Sequence, residues 1–251
     1  MELLISAVRY LVSWLLVTCV AIPVAVALLL TLPWRTARLR IHNGVGQVLA
    51  APILRILGVR VTLHGKERLT SGRPAIYVAN HTSSLDTVLV PWLGPVSALY
   101  FVKREVLWTP VLGQALWLSG HILIDRTQRR EAVKGLMAAA EFAKKKKLSL
   151  WVMPEGTRSK GRTLGEFKTG FVHLALKTGF PVVPVVITGA DKVWPNGSFR
   201  LYPGEVSIEI LDAIDTRQWG ARESRDRALQ VQQVFEERLA SLRSVSDSSP
   251  T

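Results

Sequence analysis

The chain has 251 residues, 48% of them apolar, and 32 Lys and Arg against 19 Asp and Glu give it a net charge of +13. This length favours one main domain with additions over two large ones, and the positive balance favours anionic partners: phospholipid headgroups, phosphorylated substrates or nucleic acid. Cys19 is the single cysteine, which excludes an intramolecular disulfide and a cysteine metal site and fits a reducing compartment.

No charged residue stands between Arg9 and Arg35, and the stretch 11–32 is long enough to cross a hydrocarbon core of roughly 30 Å as a helix. Trp14 and Trp34 suit the two interfaces, and Arg35, Arg38 and Arg40 follow at once, which by the positive-inside tendency puts the rest of the chain in the cytoplasm. Pro23 permits a kink or a shallower, re-entrant path. A cleaved signal peptide fits less well, since Arg9 is the only basic residue before an apolar run longer than the usual roughly 7–15 residues. Over 36–58, Leu39, Ile41, Val45, Val48, Leu49, Ile53, Ile56 and Leu57 recur at helical spacing among Arg38, Arg40 and Arg55. Two readings stand there: an interfacial helix, or an ordinary helix packed on the domain that follows.

Beyond Gly58 short β-rich runs alternate with helical ones. Strands are expected at 59–63, 75–79, 99–102, 121–124, 148–152, 182–187 and 206–211, and helices at 84–92, 110–118, 129–146, 169–178 and 218–242. The alternation predicts an α/β fold, a mixed sheet flanked by helices, with an N-terminal membrane-associated helical segment. The expected organisation is a membrane anchor and interfacial helix over 1–58, a catalytic domain over 59–242, and a disordered serine-rich tail over 243–251. Lys144, Lys145, Lys146 and Lys147 close a predicted helix, where cations suit the C-terminal dipole.

In "ANHTSSLDTVLV" His81 and Asp86 are five positions apart, a spacing that would turn them about 140° from each other on one helix. A strand ending at Asn80, with Ser83 or Ser84 as N-cap and Asp86 in the first helical turn, removes the difficulty. The loop then folds the imidazole back so that the carboxylate accepts the Nδ1 proton, fixes the tautomer and leaves Nε2 as a base. Taken alone the pair also fits a local turn, with Asp86 capping and His81 merely packed. The hydroxyl to be activated is either Ser83 or Ser84 or one brought by a substrate; no G-x-S-x-G elbow occurs in the chain, and both serines suit cap and turn positions, so a substrate hydroxyl is favoured.

The stretch "MPEGTRSKGRT" follows a predicted strand with a turn proline, two glycines, hydroxyls and three cations. Gly156 and Gly161 let the backbone approach an anion, and Arg158 offers phosphate a bidentate fork that lysine cannot match. Glu155 either orients Arg158, accepts a substrate hydroxyl, or forms a surface salt bridge. From Gly156 the segment also approaches a nucleotide-binding P-loop, with Arg162 where that loop needs lysine.

Together "NHTSSLD" and "PEGTRS", with "GHILIDR" between them and "FPVVPVVI" after them in matching order, resemble the glycerolipid acyltransferases, in particular the 1-acyl-glycerol-3-phosphate (lysophosphatidate) acyltransferases. The resemblance covers about 59–211, with Met153 and Leu123 exchanging one apolar residue for another relative to the family pattern. It implies a membrane enzyme with an HX4D motif in which His81 is the general base and Asp86 its orienting partner. It further implies that Glu155, Gly156, Thr157 and Arg158 form the acceptor-binding loop, that Arg126 assists with the phosphate or glycerol backbone, and that Lys103 and Arg104 also reach the phosphate. The implied reaction moves a fatty acyl group from acyl-CoA or acyl carrier protein to the sn-2 hydroxyl of lysophosphatidate, beside membrane phospholipids, with no metal or other cofactor and no nucleic acid. Backbone amides near the start of the helix after Ser83 are the expected oxyanion donors. Acylation of another lysolipid or of glycerol 3-phosphate, a P-loop-like nucleotide enzyme and a non-enzymatic anionic-lipid-binding protein are the alternatives.

Overall fold

Runs of Val, Ile and Leu too short for helices form seven strands: β1 (Val59–His64), β2 (Ile76–Ala79), β3 (Ala98–Lys103), β4 (Ile122–Ile124), β5 (Ser149–Val152), β6 (Val182–Thr188) and β7 (Gly204–Ile210). A computed structural model describes residues 2–69, 72–125, 128–158 and 164–247. The strands make one sheet in the order β1-β7-β6-β2-β5-β3-β4, parallel throughout except for the antiparallel pair β6 and β7. The expected mixed α/β sheet is therefore present. Every residue of β2 is buried, as is β6 up to Ile187, because helices cover both faces of the sheet. Pro184 is accommodated within β6 because the ladder to β7 starts only at Val185 opposite Ile210.

The helices are α1 (Glu2–Leu30), α2 (Arg35–Ile56), α3 (Asp86–Leu93), α4 (Leu112–Ser119), α5 (Arg129–Lys146), α6 (Gly170–Thr178), α7 (Ala190–Val193) and α8 (Ser224–Asp247). Alternation along the strands splits the core in two. On one face Tyr77, Ala79 and Trp151 meet Leu54 of α2 and Leu85 and Leu89 at α3. On the other, Ile76, Val78 and Leu150 meet Ala140 and Ala143 of α5, Phe171 and Val172 of α6 and Phe235 of α8. α8 runs to Asp247, five residues into the stretch expected to be a disordered tail, and 248–251 lie outside the described residues.

α1 and α2 form an antiparallel hairpin laid on the domain. At its tip the Arg35 Nε donates to Gly120 O at 2.9 Å with the guanidinium 4.3 Å from the Phe142 ring centre, and Arg38 donates to Leu118 O. Further along, Asn43 Nδ2 donates to Ala98 O (2.8 Å) and Val96 O (3.0 Å), and Gln47 to Gly94 O (2.7 Å). α2 is thus a helix packed on the domain, and two of its arginines bond domain carbonyls. At the far end Ser6 Oγ accepts the Leu201 N–H at 3.1 Å, and the Tyr10 ring meets Trp194 edge-on at 5.2 Å. The outward side of α1 remains apolar and exposed, including Leu4, Leu11, Leu15, Ile22 and Leu30, and the helix carries a window of mean hydropathy 2.5.

His121 stitches α2 to the sheet. Its Nδ1 accepts the Tyr100 N–H at 3.2 Å, so Nε2 carries the proton and faces Asn43 Oδ1 (3.1 Å) and His42 Nδ1 (3.2 Å). Burial first, then the neighbouring His42 and Arg35 charges, holds His121 well below the ordinary histidine range, and burial lowers His42 also. Because the unfolded chain takes up these protons first, the stability contribution is complete above about pH 6.5 and is lost as pH falls below it. Unfolding by urea in detergent should give a stability that drops by up to about 1.4 kcal/mol per pH unit per histidine on acidification below pH 6.5, and His121→Gln should flatten that slope. An unchanged slope in the variant would contradict the assignment.

Candidate functional site

The site lies where the chain leaves the centre of the sheet. β2 is followed by α3 and then β3 on one side, whereas β5, its neighbour, is followed by α6 and then β6 on the other. The connections depart to opposite faces, and such a switch point opens a crevice beyond the carboxyl ends of parallel strands. Asn80 ends β2 by imitating one more strand residue: Oδ1 accepts the Ile187 N–H and Nδ2 donates to Ile187 O, both at 2.8 Å. His81 is therefore the first residue released from the sheet.

From there the chain folds around one carboxylate oxygen. Asp86 Oδ2 faces His81 Nδ1 at 2.6 Å and accepts the N–H groups of Thr82 and Ser83, both at 3.1 Å. The Asp86 side chain is 1% exposed and that of His81 15%. Two backbone donors require the oxygen to be an acceptor, so Nδ1 is assigned the proton and Nε2 the lone pair of the neutral ring. Ser83 is a turn residue: its buried Oγ donates to Trp194 O at 2.6 Å and accepts the Leu85 N–H at 3.1 Å. Ser84 lends its carbonyl to Thr87 Oγ1 at 2.7 Å.

The second loop leaves β5 through Pro154. Gly156 has φ +72°, the left-handed region that favours glycine. Glu155 is 5% exposed. Its Oε1 accepts the His81 N–H at 2.7 Å and its Oε2 the Gly165 N–H at 2.9 Å, so the carboxylate ties the two loops together. Thr157 is exposed, while Arg158 is half-buried, with a buried Nε that has no hydrogen-bond partner among the described residues.

Lys103 and Arg104 stand at the carboxyl end of β3, on the same edge of the sheet but one strand beyond β5, with Lys103 Nζ 3.2 Å from Glu105 and Arg104 3.9 Å from Asp125. Arg126, together with Gly161 and Arg162 of the P-loop-like stretch, lies outside the described residues. The next helix after that stretch starts only at Gly170, not directly behind the loop as a P-loop requires. The lysine run precedes β5 at Ser149 and so belongs to the opposite edge of the sheet. Of the amides near the start of α3, those of Thr82 and Ser83 are used by Asp86, that of Leu85 by Ser83 Oγ and that of Thr87 by Ser84 O, while that of Ser84 has no acceptor among the described residues. Sequence reading placed the strand end at Asn80 but missed its clamp to Ile187, and it missed Gly165.

A family model described as Acyltransferase matches residues 60–188. A protein of Limnanthes douglasii named 1-acyl-sn-glycerol-3-phosphate acyltransferase is 34% identical over 232 residues, covering 92% of this chain and 82% of the relative. A protein of the same name from Escherichia coli (strain K12) is 36% identical over 188 residues, 74% of this chain and 76% of the relative. The fold is shared with the crystal structure titled 1-acyl-sn-glycerophosphate (LPA) acyltransferase, PlsC, from Thermotoga maritima, with a TM-score of 0.81, 24% identity, and coverage of 100% and 98% of the two chains. The chain is an enzyme of the acyltransferase class. Within that class it belongs to the glycerolipid acyltransferase family whose curated members carry the name 1-acyl-sn-glycerol-3-phosphate acyltransferase.

The position of Ser83 generates a clear expectation. Ser83→Ala should cost about 1–2 kcal/mol of stability through the lost bonds to Trp194 and Leu85 yet retain acyl transfer in a thioester-release assay. A folded Ser83→Ala protein with no transfer would make Ser83 a nucleophile.

Proposed function

We propose that this chain transfers a fatty acyl group from an acyl thioester to the sn-2 hydroxyl of lysophosphatidate, with His81 as general base and Asp86 as its orienting partner. The observation that carries the reading is the 2.6 Å contact between His81 Nδ1 and a buried Asp86 oxygen that also takes two backbone donors. Nε2 takes the hydroxyl proton as the oxygen attacks the thioester carbonyl; the tetrahedral adduct collapses, the C–S bond breaks, and the imidazolium returns its proton to the departing thiolate. The proton donor and acceptor are the same ring, so the step as written calls on no cofactor. Acyl-CoA and acyl carrier protein both supply such a thioester. The names of the curated relatives support lysophosphatidate as acceptor.

The domain division is read as 1–58 for membrane attachment and 59–242 for catalysis. Both ends of the α1–α2 hairpin touch the domain, at Leu201 and Trp194 and at Leu118 and Gly120, while the outer side of α1 is apolar. This favours attachment through the outer side of α1, with α2 between it and the domain, at the cytoplasmic face that the arginines after residue 34 suit. The loop carrying Gly156, Thr157 and Arg158 is read as the acceptor phosphate site, with Lys103, Arg104 and Arg126 as further cations. Glu155 is assigned to holding that loop against His81 rather than to contacting substrate, since both of its oxygens accept amides.

His81→Ala should lower transfer by at least about 10²-fold while the protein still accumulates in membranes; thioester release measured with lysophosphatidate and each donor type checks this, and full activity would end the proposal. Arg158→Lys should raise the acceptor KM, because a point charge replaces a planar fork. Unchanged acceptor kinetics would give Arg158 another task. Mass spectrometry of products formed from lysophosphatidate, glycerol 3-phosphate and other lysolipids in competition separates this acceptor from the alternatives.

A further inference from the structure

Lys168 lies outside every motif that the sequence brought forward, nine positions beyond Ser159 at the end of "PEGTRS". Its backbone is pinned: its N–H donates to Pro154 O at 3.0 Å, and the preceding Phe167, itself buried, donates to Gln232 Oε1 at 2.9 Å. Its side chain lies over Gly156. A Cβ at position 156 would sit 2.8 Å from Lys168 Nζ, 3.2 Å from Cε and 3.4 Å from Cδ, so glycine there serves two ends, the left-handed turn and the passage of this side chain. Neither acid nearby pairs with it: Glu155 is committed to the His81 and Gly165 amides, and Glu166 to Arg225 at 3.0 Å. The side chains of Lys168 and Arg158 make no ion pair among the described residues.

We propose that Lys168 is a second cation of the acceptor phosphate site, working with Arg158 across Gly156; this rests on the reading of the chain as a lysophosphatidate acyltransferase. Charge balance supports the pairing. A phosphate monoester carries about −1.5 to −2 near neutral pH, and here it would approach a loop backed by the buried carboxylates of Glu155 and Asp86. Within the loop itself, the Arg158 guanidinium alone leaves that group undercompensated, whereas a fork plus the Lys168 point charge matches it more closely. The cations at the end of β3 are differently placed, each already within 4.0 Å of an acid.

The test uses the full chain in detergent or vesicles, comparing wild type with Lys168→Met, which keeps a long apolar stem, and Lys168→Arg, which keeps the charge. Lysophosphatidate and an uncharged monoacylglycerol of the same acyl chain serve as acceptors. Lys168→Met should raise the KM for lysophosphatidate about tenfold or more, leave the donor KM unchanged and leave any transfer to monoacylglycerol as in wild type, while Lys168→Arg restores most of the loss. A KM for lysophosphatidate within about twofold of wild type, or an equal loss on both acceptors, overturns the role of Lys168 and leaves the activity standing. A wild-type protein that transfers nothing to lysophosphatidate overturns the activity, and this role with it.

Discussion

Three consecutive backbone N–H groups, those of His81, Thr82 and Ser83, end on two buried carboxylates, Glu155 on one side and Asp86 on the other. Carboxylates taken out of water cost several kcal/mol unless donors compensate them, and here the compensation comes from the loop that must be held still. The loop supplies donors to one oxygen of each side chain, Glu155 Oε1 and Asp86 Oδ2, and keeps its shape because they accept them. The imidazole is the fourth donor, and its direction follows from the other three. This constraint also shapes the chemistry: the amides of Thr82 and Ser83 are occupied and so do not meet the negative charge that develops on a thioester oxygen.

The position of the loop follows from topology. β2 and β5 are adjacent, yet their crossovers run to opposite faces, which places the His81 loop and the Glu155 loop side by side although 74 residues separate them in sequence. Asn80 sharpens the exit by clamping β2 to β6 at its last rung. The N-terminal hairpin shares this framework: Tyr10 of α1 packs on Trp194, whose carbonyl holds Ser83, whose N–H in turn holds Asp86. The most apolar helix of the chain and the loop that carries His81 are thus joined by a short run of direct contacts.

Much of the fold could be read from local pattern, since each strand of the sheet follows a short β-branched run between turn residues and each long helix a 3.6-residue repeat. The helix over 129–146 and the start of α6 are examples. What escaped was non-local. The antiparallel β6–β7 pair, the insertion of β5 between β2 and β3, and the short helix α7 depend on which surfaces meet, which periodicity does not record. In the site, spacing suggested that His81 and Asp86 could meet across a strand-to-helix turn, and the geometry agrees. Spacing could not reveal that Glu155 would turn inward to the His81 amide, nor that Lys168 would lie over Gly156, because both contacts join segments on different loops.

The central claim is that Asp86 holds the proton on Nδ1 of His81 so that Nε2 presents a lone pair. The most direct measurement is the ¹⁵N NMR spectrum of the His81 ring in the full-length protein at about pH 8, assigned by comparison with His81→Gln and repeated in Asp86→Asn. The account predicts an Nδ1–H tautomer that weakens or disappears in the Asp86 variant. An Nε2–H tautomer in the wild type, or a ring signal indifferent to residue 86, would contradict it.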